Sequence, residues 1–171
     1  MKIRVAPTVA LSVLFLAGAA AAQTASVGRT AVGPLSYDVQ RVQGTRGMGD
    51  RQPVCAGPGA AFLIISYTVS NTQGAPQAAG AVPHFVLEDP AGQRLAPDRA
   101  TAGDLAEFLP ERESVGPTLA AGAGMEAVDV FVVARDKLTR PGWKLKMADP
   151  AAAAIDLAPT PLSPYAAPTC D

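Results

Sequence analysis

The chain has one histidine, His84, and two cysteines, Cys55 and Cys170, among its 171 residues. A zinc site needs three or four Cys, His or carboxylate ligands at workable spacing, and this inventory does not supply them. The pairs Glu88-Asp89 and Glu111-Arg-Glu113 are too sparse for calcium, which wants clustered oxygen ligands. Copper held by thioethers would need Met48, Met125 and Met147 to gather, but they fall on a loop and two strands and read as packing residues. The Gly-x-Ser-x-Gly elbow of the esterase-type hydrolases is missing. His84 with the abundant Ser and Asp therefore makes only a formal Ser-His-Asp set. Directly before Phe85, it reads as a strand-edge side chain. No cofactor, metal or catalytic residue is expected, and the chain is not expected to be an enzyme.

Neither sign of charge is in excess. Lys and Arg number 14 against 15 Asp and Glu, and two of the basic residues, Lys2 and Arg4, lie in the first segment. A weakly acidic chain has no electrostatic reason to bind nucleic acid or an anionic membrane surface. Only one long apolar run exists. It spans Ala10 to Ala19, follows the positive start and precedes Ala20-Ala21-Ala22. This three-part layout is that of a secretory signal peptide over residues 1–22. The run falls short of the roughly 20 apolar residues that span a bilayer, so no stable membrane insertion is expected after cleavage. The expected location is the periplasm or the medium.

An exported chain sits where disulfides persist. Two cysteines allow one pairing, and Cys55–Cys170 is expected to form, closing a loop of about 115 residues worth roughly 4–5 kcal/mol in the chain-entropy picture. Its expected role is to pin the tail to an early Gly-rich loop.

Alternation with a period of two dominates residues 23–157. Leu35, Tyr37 and Val39 alternate with polar residues. In 61–69, Leu63, Ile65, Tyr67 and Val69 share one face, with Phe62 and Ile64 on the other; this predicts a central strand. Phe85 and Leu87 predict another strand, which Asp89-Pro-Ala-Gly92 turns into a hairpin with Arg94-Leu95. Residues 101–109 predict a short helical turn capped by Thr101, with Asp104 as a capping-box acid and Leu105, Phe108 and Leu109 buried. Residues 125–134 are apolar on both faces near their end, as expected of an interior strand. Trp143, Leu145 and Met147 alternate with Lys144 and Lys146, which places Trp143 in the core rather than on the surface as a sugar platform. Ile155 and Leu157 predict a last short strand. Residues 44–59 carry too many Gly and Pro for a strand or helix. The tail, 158–171, has Pro159, Pro161, Pro164 and Pro168 and is expected to be extended rather than packed. Strands between turn signals, with almost no helix, make the fold all-β: an antiparallel sandwich or a barrel of about 6–8 strands.

Four segments carry a resemblance to a known family. Leu63-Ile-Ile-Ser-Tyr-Thr-Val-Ser-Asn71 is an alternating strand that ends in Asn, and Phe85-Val-Leu-Glu-Asp-Pro-Ala-Gly92 runs into an acid-and-Gly turn. Ala127-Val-Asp-Val-Phe-Val-Val133 centres on Phe and is followed by Trp143-Lys-Leu-Lys-Met147. Together they resemble the telokin-like, immunoglobulin-type domains of exported bacterial proteins, a domain family of unknown function. The chain departs from that pattern at Leu119-Ala-Ala-Gly-Ala-Gly124 and in its Cys170-bearing tail. The resemblance implies a non-enzymatic immunoglobulin-like β-sandwich that binds or presents something; the expected partner is an unknown envelope or extracellular protein. The long loops 44–59 and 71–81 are the candidate contact surfaces. Arg41, Arg46 and Arg51 bracket the first loop; Arg46 and Arg51 are candidate anion contacts, against the plainer reading of a solvated loop.

Overall fold

Strand residues that alternate apolar and polar bury one face and wet the other. Here two long strands with apolar residues on both faces do more and hold three layers together. The computed structural model describes residues 26–49, 52–78, 82–109, 118–163 and 170; the expected leader over 1–22 and Arg51 lie outside these. In chain order the strands are β1 (Gly28–Val32), β2 (Leu35–Thr45), β3 (Gly47–Met48), β4 (Val54–Cys55), β5 (Ala60–Asn71) and β6 (Gln77–Ala78). Then come β7 (Val86–Glu88), β8 (Arg94–Leu95), helix α1 (Arg99–Asp104), β9 (Thr118–Leu119), β10 (Gly124–Ala134), β11 (Lys144–Lys146) and β12 (Ile155–Asp156).

Eight of these strands form two four-stranded sheets, ordered β1-β2-β5-β10 and β12-β11-β7-β8, with all neighbours antiparallel. The other four make two-stranded ribbons, β3-β4 and β6-β9. The fold is a β-sandwich. Tyr37, Val39, Leu63, Ile65, Tyr67 and Phe131 from the first sheet meet Leu87, Leu145 and Ile155 from the second, with Phe85 and Trp143 beside them, in one buried core. Trp143 is 3% exposed and its indole N–H donates to the Lys137 carbonyl at 2.9 Å, as the Lys144/Lys146 alternation implies. The far face of the first sheet is covered as well. Phe62, Ile64, Val128 and Val130 pack there against Ala102, Leu105 and Leu109 of the α1 region, with Met48 and Val54 at the margin.

Several expectations change. Residues 44–59 do support strands: β2 continues to Thr45, and β3 and β4 pair Gly47 with Cys55 and Met48 with Val54. The reason is tertiary. The Cys55–Cys170 disulfide is present, with Cα atoms 5.4 Å apart, and it fixes this ribbon over Gly47. A Cβ on Gly47 would meet the Cys170 sulfur and stand 2.7 Å from the Val54 carbonyl oxygen. The tail is packed rather than merely extended: Thr160 N–H donates to Leu138 O, Ser163 N–H to Gly44 O, and Leu162 bridges Gly44 in parallel. The helix cap is Asp98, not Thr101. Its carboxylate accepts the Thr101 N–H at 3.0 Å and the Thr101 hydroxyl at 2.8 Å. Finally, among the described residues β10 lies at the edge of its sheet, not inside it.

Candidate functional site

The alternation that points Ala127, Phe131 and Val133 into the core points Asp129 there too. A carboxylate in such a place is unfavourable unless donors replace its water, and three do. Tyr67 Oη donates to Oδ2 at 3.1 Å, the Phe85 N–H donates to Oδ2 at 3.0 Å, and His84 Nδ1 lies 2.7 Å from Oδ1. Asp129 is 2% exposed. It ties β5 and β10 of the first sheet to the segment that opens β7 in the second. The rings of Tyr37, Tyr67 and Phe85 pack around it with centroids 4.9–6.1 Å apart. Tyr37 Oη donates to the Pro83 carbonyl at 3.1 Å. Burial, and then the negative charge of Asp129, push the Tyr37 phenol up to about 12.

With an ionised carboxylate at Oδ1, the hydrogen of His84 sits on Nδ1. The Tyr67 hydroxyl, 3.4 Å from that nitrogen, gives its own hydrogen to Oδ2. Nε2 is then the imidazole nitrogen left for a ligand. His84, half-buried, lines a pocket of about 210 Å³ beside β10. Pro97, Ala102, Met125 and Val128 make its apolar wall, and Arg99 and Glu126 its charged rim. Both rim residues are exposed, and neither is in an ion pair among the described residues. Asp98 closes the pocket through its backbone, whose N–H donates to the Val130 carbonyl at 2.8 Å. An oriented imidazole, a guanidinium and a carboxylate around an apolar floor can hold a ligand by hydrogen bonds and charge.

The other candidate residues are dispersed. Arg46 sits in the link between β2 and β3, its carbonyl accepting the Ala56 N–H, and its side chain has interactions of its own. Arg41 lies on β2 beside a shallow depression of about 350 Å³ walled by Val27 and residues 158–161. Met48, Met125 and Met147 are apart, each packed against apolar neighbours. Among the described residues no three His, Cys, Asp or Glu side chains gather where a metal would fit, and no helix is long and apolar enough to cross a membrane. The loop after β5 is built on Asn71, whose side-chain N–H groups donate to Ala75 O and Leu119 O; residues 72–76 are exposed beside the Gly124 end of β10.

No family model and no curated protein matches the sequence. Solved structures similar in fold include a conserved hypothetical protein from Bacillus anthracis, with a TM-score of 0.63 and 17% identity over 78% of this chain and 95% of that one. The chain shares that fold. An uncharacterised β-sandwich protein from Clostridium difficile aligns at a TM-score of 0.49 and 8% identity, over 78% of this chain and 92% of its own.

The sequence did carry one signal for the site. A lone acid in Val128-Asp129-Val130, on the Phe131 face, marks a position that must find donors. His84 as its donor was not readable, because the two are 45 residues apart and meet only when the sheets stack.

Proposed function

We propose that this protein is an exported, non-enzymatic binding module of the cell envelope, a β-sandwich of the telokin-like immunoglobulin type, which recognises a partner at the His84 pocket. The observation that carries the reading is the buried Asp129 holding an accessible imidazole in one orientation, between an Arg99 and a Glu126 that have no ion-pair partner among the described residues. Preorganised polar groups on a rigid sandwich reduce the ordering cost of binding. The Cys55–Cys170 disulfide is the kind of bond that persists outside the cytosol, in keeping with the periplasm or the medium as its place of work. The partner is an envelope or extracellular protein.

The test is affinity capture from envelope extract with the oxidised protein and with the double variant Arg99→Glu, Glu126→Lys. A partner retained by the first and lost by the second supports a binding module working at this pocket. An empty capture, or partners indifferent to the two charges, favours a structural envelope protein in which Asp129 is only a brace between sheets.

One observation favours a second reading. A His oriented by a buried carboxylate is two-thirds of a hydrolytic triad. An exported hydrolase requires ester or glycoside hydrolysis that His84→Ala abolishes, and no such activity is expected.

A further inference from the structure

The two ends of β10 fix which way its backbone faces. At one end the Ala123 carbonyl accepts the Asn71 N–H of β5 at 2.9 Å. Near the other, the Val130 carbonyl faces the opposite way and accepts the Asp98 N–H. Between them the register with β5 is unbroken, Gly124 opposite Ser70 through Ala134 opposite Ala60. In an antiparallel strand both backbone groups of alternate residues point to the same side. The N–H and C=O of Gly124, Glu126 and Val128 therefore face out from the sheet, along the pocket.

We propose that this edge, residues 124–128, open among the described residues, receives an extended peptide segment of a partner protein as an added antiparallel strand, with a Lys or Arg opposite Glu126. The inference rests on reading the pocket as the recognition site and names what enters it. Main-chain pairing at a sheet edge supplies affinity, and the alternate side-chain positions supply selectivity. The chain's own Asp98 already makes one such bond at Val130, so an extended backbone can approach this edge. Glu126 has no cation opposite it within the described chain, and opposite charges directly across a strand pair attract. The same charge argues against a second copy of this protein. The two-fold antiparallel pairing that uses all three open residues sets Glu126 against Glu126, and like charges there repel.

The test uses the isotope-labelled, oxidised protein and the capped pentapeptide acetyl-Val-Thr-Lys-Thr-Val-amide, followed by amide chemical shifts up to millimolar peptide. The expected result is saturable shifts at Gly124, Glu126, Val128 and His84. A peptide N-methylated at its lysine loses the N–H that meets the Glu126 carbonyl, and is expected to bind at least tenfold more weakly. Glu126→Lys is expected to weaken the lysine peptide several-fold and to favour its glutamate counterpart. Absent shifts, shifts elsewhere, or equal binding of the N-methylated peptide overturn strand addition. If capture still depends on Arg99 and Glu126 after that failure, the recognition site stands and only the peptide is wrong. If both fail, the site itself is wrong.

Discussion

Asp129 concentrates more consequence in one side chain than any other residue of the sandwich. Truncating it leaves the Tyr67 hydroxyl and the Phe85 N–H without their acceptor, both buried. Asp129→Ala is expected to destabilise by about 3 kcal/mol, since an orphaned buried donor costs roughly 1–3 kcal/mol. A urea midpoint lowered at constant slope is the readout, and a change below about 1 kcal/mol would mean that water replaces the carboxylate. His84→Ala should cost clearly less, because its ring is partly solvated. Tyr37 predicts behaviour at the alkaline end. Its folded value is raised to about 12 from 10.0, so its contribution is complete below pH 10 and is lost as pH rises through about 12. Wild type should lose stability across that window, and Tyr37→Phe should lose less of it; parallel curves for the two would contradict the assignment. At this scale burial was legible from alternation, including that of Trp143. The polar partners were not, because hydrogen bonds between sheets leave no periodic trace in the sequence.

Among the elements, α1 shows how a local rule can be right in kind and wrong in place. Thr101 looked like a cap because it precedes the apolar Leu105-Phe108-Leu109 set, yet Asp98 three residues earlier takes both its N–H and its hydroxyl. That bond from the Thr101 N–H, more than any other, holds the Asp98 carboxyl below the usual aspartate range. Its stabilising share is therefore present at neutral pH and disappears as pH falls through the folded value. Asp98→Ala is expected to cost about 1 kcal/mol at neutral pH, the ordinary worth of a cap, and the deficit should shrink in acid. A deficit that is constant with pH would place the loss in packing against Val130 instead. Strand β10 teaches a related lesson. Apolar residues on both faces record that both faces are covered, here by the second sheet and by the α1 region. They are silent about the hydrogen-bonding edges, which is why an edge strand reads as an interior one.

On the scale of the whole molecule, the tail changes the picture most. Four prolines predict an extended, unpacked tail pinned by its cysteine; the Cys55–Cys170 bond is there, but Thr160 and Leu162 also dock the tail against Leu138 and β2. Proline removes a donor without preventing the carbonyls and the intervening residues from docking. The disulfide spans 115 residues, and the Cys55→Ser, Cys170→Ser double variant is expected to lose about 4–5 kcal/mol by the chain-entropy argument. Equal unfolding midpoints for oxidised protein and double variant would show that the tail docks without it. The alternating strands β2, β5, β7, β10 and β11 and the hairpin at Asp89-Pro-Ala-Gly92 were open to sequence reading, because turns and alternation are local; the short ribbons β3-β4 and β6-β9, which bring the strands to twelve, were not. The sheet order β1-β2-β5-β10 and the pocket beside it were not, because they depend on how distant strands stack.

The most direct test of the account is residue-resolved amide hydrogen exchange along β10 in the oxidised protein. If its outer edge is the open recognition face, Glu126 and Val128 exchange much faster than Ala127 and Asp129, whose N–H groups face β5. Protection of Glu126 and Val128 equal to that of their neighbours would mean that this edge is already paired, and would contradict the proposed site.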